Sequence, residues 1–203
     1  MEDLLSFDQM LFQKVNQSWS NGFFDWLLPN ITDLHKSPIA LVVLLLLLAI
    51  WIWRQKTLAL KWIFIALVSV ALSDVVCYRG IKGIIKRERP QFTGIEVNLR
   101  TKVHAGPSFP SNHAANMFTA ATVLSAPAPY LAPVFFGVAA LIAYSRVYVG
   151  VHFPIDVISG ALIGLIIGLI ARRIGRRWTN PNVRPAVRSD VDSSLEQSSN
   201  QSS

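Results

Sequence analysis

The chain has 203 residues, 52% of them hydrophobic and only 15% charged, with a mean hydropathy of +0.40. This composition excludes a disordered chain, a collagenous chain and an ordinary soluble domain. The 19 Lys and Arg outweigh the 12 Asp and Glu to give +7, which in so apolar a chain points to anionic lipid and away from nucleic acid.

A helical span takes about 20 mostly apolar residues, so five spans would fill roughly half the chain and leave no room for a second soluble domain. Residues 1–37 mix Leu4, Leu5, Met10, Leu11, Phe12 and Val15 with polar residues at helical spacing, then add Trp19, Phe23, Phe24, Trp26, Leu27 and Leu28. This pattern predicts interfacial amphipathic helices, with a sixth, irregular span as the alternative. Ile39–Trp53 is the first clear span, uncharged, bracketed by Lys36 and Arg54 and carrying Trp51 and Trp53 at its edge. It starts too late for a secretory leader. Trp62–Tyr78 is the second, with Asp74 near its end. His113 to about Ala126 is a weaker third span rich in Ala and Thr, closed by Pro127 and Pro129. Leu131–Tyr144 is the fourth and Ile155–Ala171 the fifth. Gly160, Gly164 and Gly168 put three small residues on one face of the fifth, a packing device. From residue 178 the chain becomes polar and serine-rich, a disordered tail. The expected organisation is therefore an N-terminal unit over 1–37, a membrane domain over 38–177 and a tail over 178–203. Cys77, alone of its kind, reads as a small buried hydrophobe, and no intramolecular disulfide is expected.

Arg54, Lys56 and Lys61 follow the first span, and Arg172, Arg173, Arg176 and Arg177 follow the fifth. Five alternating spans put both clusters on one side, which the positive-inside rule makes cytoplasmic, together with the C-terminus. The segments 79–112 and 145–154 then lie outside. The first of these carries Arg79, Lys82, Lys86, Arg87, Arg89, Arg100 and Lys102, against the rule, so either the orientation is inverted or these cations have a task that overrides it.

The outer segments gather Lys82, Arg89, Arg146, Ser111, His113, His152 and Asp156. Cations with two histidines and a carboxylate suit a phosphate. Pro154 fits the first turn of a helix, which places Asp156 where it can turn back on His152 and fix its tautomer, leaving the other ring nitrogen able to attack. A satisfied interface histidine beside a first-turn anion is the plainer alternative. Ser111 is a good N-cap, and the free N–H groups there, with His113 in the first turn, make an anion cradle and a proton donor; simple capping is the alternative. Lys82, Arg89 and Arg146 are costly at membrane depth unless used, or else snorkel to the interface. Asp74 is expected to form a structural ion pair with Lys82 or Arg79, while Lys86, Arg87, Arg100 and Lys102 are expected to attract anionic headgroups. His104 is given no role, and His35 reads as an interface residue.

Taken together, Lys82-x6-Arg89-Pro90, Pro110-Ser111-Asn112-His113 and Ser145-Arg146-x5-His152-x3-Asp156 resemble the three-part signature of the type 2 phosphatidic acid phosphatase family, over about residues 58–171. The resemblance implies an all-α, polytopic helix bundle with the haloperoxidase-like core of that family. It implies His152 as the nucleophile that takes the phosphoryl group, Asp156 as its orienting carboxylate and His113 as general acid. Lys82, Arg89 and Arg146, with Ser111 and the Asn112 backbone N–H, would hold the phosphate oxygens. It implies no cofactor and no metal, the cations standing where another phosphatase would use metal ions. One departure is Asn112, where the family usually has Gly; Asn tolerates left-handed backbone and keeps its N–H, so activity is expected to persist.

The expectation is an integral enzyme of a bacterial inner (plasma) membrane that hydrolyses a lipid phosphate or pyrophosphate at the extracytoplasmic face through a phosphohistidine. Undecaprenyl pyrophosphate is the first substrate choice; lipid A 1-phosphate, phosphatidylglycerophosphate and phosphatidate are the alternatives. A vanadium haloperoxidase would share the site, but such enzymes are soluble. A membrane lipid-binding module is the non-enzymatic alternative, and it would tolerate loss of His152.

Overall fold

The computed structural model describes residues 2–32 and 38–180. Every regular element among them is helical. The N-terminal helix α1 (Glu2–Gln13) runs on through a π-helical turn (Lys14–Ser18) and is followed by α2 (Gly22–Thr32) and α3 (Pro38–Gln55). Helix α4 (Thr57–Val75) passes through a second π-helical turn (Val76–Ile81) into the single turn α5 (Lys82–Ile84). Then come α6 (Asn112–Leu124), α7 (Ala132–Tyr148) and α8 (Pro154–Thr179). His35 and Lys36, and the tail beyond residue 180, lie outside the described residues. Trp178 belongs to the last turn of α8.

Among the described residues three stretches are long and apolar enough to cross a membrane: Thr57–Ile84 (28 residues), Pro129–Tyr148 (20 residues) and Pro154–Thr179 (26 residues). The weak third run of the sequence becomes α6, only 13 residues. At 1.5 Å per residue this is about 20 Å, short of a ~30 Å hydrocarbon layer. Its neighbours explain the Ala- and Thr-rich composition. The helix packs on α8, α4 and α7 and buries Ala114, Ala115, Thr119, Ala121, Thr122 and Val123. Small side chains let backbones approach closely where no lipid touches them. Neither α1 with its π-helical turn nor the 11-residue α2 is among the helices long and apolar enough to span.

The seam between α6 and α8 depends on the spaced glycines. A Cβ on Gly160 would stand 2.4 Å from the Ser111 carbonyl oxygen, and one on Gly164 would stand 2.2 Å from that of Ala115. At Gly168 it would meet the Thr122 Cβ at 2.6 Å. The small-residue face is thus used for helix packing, as its spacing predicts.

The start of α4 lies beside the end of α8: the Lys61 ammonium sits 5.5 Å from the Trp178 ring centre. Both basic clusters therefore share one end of the bundle. The start of α8 meets the start of α6 at the other end, where the Ser111 N–H donates to the Asp156 carbonyl at 2.9 Å.

Helix α1 lies against that second end, and its inward face mixes polar groups with the core residue Phe12. Asp8, Phe12 and Asn16, four residues apart, are fully buried. Leu5, Phe7 and Met10 are exposed, as an interfacial helix facing acyl chains would be. Asn16 ties the N-terminal segment to two loops: its amide donates to the Tyr148 carbonyl (2.8 Å) and the Asn98 carbonyl (3.0 Å), and its oxygen accepts from the Asn98 N–H (2.8 Å).

Candidate active site

His152 lies in the turn between α7 and α8 and is almost fully buried. The turn is tight at Gly150, whose φ of +88° is left-handed and where a Cβ would sit 2.7 Å from Val97 Cγ1. Phe153 is then extended, Pro154 opens α8, and Asp156 folds back so that its Oδ2 accepts the Phe153 N–H at 2.9 Å. The same Oδ2 stands 3.5 Å from His152 Nδ1. That is too long for a formed hydrogen bond, but it puts the carboxylate beside the ring nitrogen it would orient. On the opposite edge, Arg89 Nη1 lies 3.4 Å from His152 Nε2. A guanidinium only donates, so the Nε2 lone pair faces the cation and the ring proton belongs on Nδ1, toward Asp156. Burial pushes the His152 imidazolium down to about 3. Arg89 and Arg146 push in the same direction and Asp156 opposes. The ring is neutral at physiological pH, with a lone pair directed at the arginine.

Arg89 is held open toward the ring by two carbonyls, those of Gly106 (3.0 Å to Nε) and Val151 (2.9 Å to Nη1). Lys82 is also buried, on the single turn α5 at the end of the α4 span. Arg146, in the last turn of α7, is 1% exposed, and its Nη1 donates to Thr32 Oγ1 at 2.8 Å. Such cations are stable in an apolar bundle only when paired or when they serve an anion. Ser111 is buried as the N-cap of α6. Its Oγ accepts from the Ala114 N–H at 3.5 Å, so in this state its hydroxyl caps the helix. Asn112 and His113 begin α6, half-buried, with their backbone N–H groups among those that a helix start leaves without intrahelical partners. The structure thus brings His152, Asp156 and Arg89 into direct contact, and joins the α6 terminus carrying Ser111, Asn112 and His113 to α8 through the bond to Asp156.

Three expectations are corrected. Arg87 does not stand out as a headgroup-attracting cation: it bridges two buried carboxylates, Asp156 Oδ1 at 2.7 Å and Asp8 Oδ2 at 2.6 Å, with its guanidinium 4.2 Å from the Phe153 ring centre. Arg100 likewise turns inward. It pairs with Asp25 at 2.6 Å, donates to the Asn16 and Tyr148 carbonyls at 2.9 and 3.1 Å, and stacks 4.5 Å from the Tyr148 ring. Asp74 forms no ion pair with Lys82 or Arg79; its Oδ1 accepts the amides of Asn112 (2.7 Å) and Asn116 (3.2 Å).

Asp8 and Thr32 are the site neighbours that the sequence reading missed. The available signal was the spacing of Asp8, Phe12 and Asn16 on one face of α1, which carries polar groups to the inside. A cavity of about 280 Å³ opens beside the site, lined by Lys86, Arg87, Glu88, Arg89, Phe92, Gly106 and Pro107. Among the described residues no group of three or more His, Cys, Asp or Glu side chains is placed to hold a metal ion.

A buried neutral histidine, its carboxylate and a set of cations at one end of a membrane helix bundle define a phosphate-handling membrane protein. Residues 62–180 match the family model of the PAP2 superfamily. The chain belongs to that superfamily, among its lipid phosphatases. Among relatives, it is 33% identical over 156 residues to YbjG of Escherichia coli (strain K12), provisionally named an undecaprenyl-diphosphatase, covering 75% of this chain and 74% of that one. It is 39% identical over 84 residues to the decaprenylphosphoryl-5-phosphoribose phosphatase of Mycolicibacterium smegmatis, a match spanning 39% of this chain and 42% of that protein's length. Among solved structures, Aquifex aeolicus LpxE superposes with a TM-score of 0.63 at 33% identity, covering 81% of this chain and 94% of that one. A transmembrane PAP2-type phosphatidylglycerolphosphate phosphatase from Bacillus subtilis has the same fold (TM-score 0.62, 22% identity, 91% and 90% covered).

Proposed function

We propose that this chain hydrolyses a lipid phosphate or pyrophosphate through a phosphohistidine on His152, without a metal, with undecaprenyl pyrophosphate as its substrate. The observation that carries the reading is His152 itself: buried, neutral, its Nδ1 toward Asp156 and its Nε2 toward Arg89. In this mechanism Nε2 attacks phosphorus as the bond to the leaving oxygen breaks. His113 gives that oxygen its proton, and Asp156 stabilises the charge that develops on the ring. Lys82, Arg89 and Arg146, with Ser111 and the Asn112 N–H, balance the charge on the phosphoryl oxygens. Water then takes the phosphoryl group from the ring, its proton returning through His113, and the Nε2 lone pair is restored.

The substrate choice is supported by the YbjG relative. Lipid A 1-phosphate, phosphatidylglycerophosphate and phosphatidate are the competitors. The site is placed at the extracytoplasmic face of the inner membrane and the C-terminus in the cytoplasm. This rests on the two basic clusters sharing the end opposite the site. A reporter fused after Arg177 should read cytoplasmic and one inserted at Gly106 external; the reverse readings overturn the orientation.

The direct test is phosphate release by the detergent-purified protein, in EDTA, from those four lipids. Release that ranks undecaprenyl pyrophosphate first, and is absent in His152→Ala, supports the reading. Another ranking replaces the substrate. No release from any lipid by folded protein overturns the enzyme reading in favour of a lipid-binding module.

A further inference from the structure

The two carboxylates bridged by Arg87 come from opposite ends of the described chain. Asp8 is on the N-terminal helix, Asp156 on the last span, and both are fully buried. Arg87 gives one nitrogen to each, Nη2 to Asp8 Oδ2 (2.6 Å) and Nη1 to Asp156 Oδ1 (2.7 Å). Asp8 uses its second oxygen too: Oδ1 accepts the Ile155 N–H at 2.9 Å, inside the first turn of α8. Both sides of the bridge therefore converge on the turn that carries Asp156.

This arrangement divides the Asp156 carboxylate. Oδ1 belongs to Arg87; Oδ2 accepts the Phe153 N–H and faces His152 Nδ1. With both oxygens occupied, the carboxylate cannot rotate, and the oxygen that orients the nucleophile is fixed. Arg87 is itself fixed by the Asp8 pair and by the Phe153 ring, which packs at a 60° tilt against Phe12 of α1, 5.4 Å between ring centres. A planar fork is required, because one guanidinium reaches two carboxylates at once; an ammonium would be a single point charge.

We infer that Arg87 and Asp8 are positioning residues for the reaction at His152, through which the N-terminal helix sets the geometry of the catalytic pair. The inference rests on the phosphatase reading. Neither side chain touches the cations of the phosphate cradle in the contacts described, and both hold the turn of Asp156, so their effect is expected on the chemical step; Arg87 also lines the cavity beside the site, and a loss confined to KM would assign it to substrate binding instead. The outer face of α1 exposes Leu5, Phe7 and Met10, an apolar face of the kind that an interfacial helix turns to lipid.

Arg87→Gln, Asp8→Asn and the double variant test this, assayed with wild type on the four-lipid panel and normalised to the monodisperse fraction on size exclusion. Outer partners that orient metal-ligating histidines carry roughly 10–100-fold of activity, and the same scale is taken for the carboxylate that orients His152. Arg87→Gln should lower kcat by roughly that factor with KM within about threefold, and Asp8→Asn should give a smaller loss of the same kind. Because Asp8→Asn keeps an acceptor for the Ile155 N–H, what it loses acts through Arg87, and the double variant should be no slower than Arg87→Gln by more than about threefold. Arg87→Lys, which keeps charge and bulk, should fail to restore the rate. Wild-type turnover with an unchanged Arg87→Gln kcat overturns the relay and leaves the phosphatase reading intact. So does a loss that appears only in KM, or only in the folded fraction. Failure of wild type on every lipid overturns the phosphatase reading and the relay with it.

Discussion

Gly160→Ala tests how closely the catalytic geometry depends on the α6–α8 seam. The added Cβ would lie 2.4 Å from the Ser111 carbonyl oxygen, about 1 Å inside ordinary van der Waals contact. The obstacle is backbone, not the far end of a flexible side chain, so the helices must part. Overpacking of this kind costs about 1–3 kcal/mol. The Ser111 N–H bond to the Asp156 carbonyl, now 2.9 Å, would open with the seam and add about 1 kcal/mol. Gly160 is one turn along α8 from Asp156, so the same movement shifts the carboxylate relative to the α6 terminus. Displacement of reacting groups by about 1 Å can cost on the order of 100-fold in rate. The assay is phosphate release per folded molecule, with unfolding followed by tryptophan fluorescence in detergent. Gly168→Ala, against Thr122 two turns further on, should lose comparable stability with less effect on rate. Gly137→Ala, where a Cβ meets nothing within 4 Å, should be neutral or stabilising by up to ~1 kcal/mol. Wild-type stability and rate in Gly160→Ala would refute the reasoning.

Two further predictions concern the histidine and the family departure. His152 is pushed down to about 3 in the folded chain against about 6.5 unfolded, so below pH 6.5 the unfolded chain binds a proton that the folded chain refuses. The neutral ring's contribution is complete above pH 6.5 and lost as pH falls. Between pH 7 and 5 this amounts to about 2 kcal/mol. His152→Asn should lack that part of the acid destabilisation in thermal unfolding; parallel curves would show that the ring is not held neutral. Asn112→Gly removes the 2.7 Å bond to Asp74 and adds backbone freedom at a helix start, together about 1 kcal/mol. Because the backbone N–H remains, phosphate release should stay within about threefold, and a loss beyond tenfold would place the Asn112 side chain in the machinery.

The parts of this molecule legible in sequence were those written locally or in a fixed spacing. Apolar runs locate α3, α4, α7 and α8, and the Pro154–Asp156 spacing predicts the turn that brings the carboxylate back on His152. The α6 run is ambiguous because its Ala and Thr residues serve contacts with α8 and α4, which composition reads as weak hydrophobicity. The buried bridges were not legible. Arg87 lies 79 residues from Asp8 and 69 from Asp156, and Thr32 lies 114 residues from Arg146. In sequence Arg87 and Arg100 are two more cations in a basic loop, and only the fold shows that each is matched to a carboxylate. Asp8 was hidden for a similar reason: the apolar residues around it read as an interfacial helix, whereas the fold buries one mixed face of that helix, Asp8 and Asn16 on either side of Phe12.

The most direct test of the account is rapid-quench labelling with a lipid phosphate carrying 32P in the transferred group, followed by peptide mapping. The account predicts an acid-labile, base-stable label that rises and decays within a turnover, maps to the peptide containing His152 and is absent from His152→Asn. Steady turnover with no such label, or with the label on another residue, would contradict it.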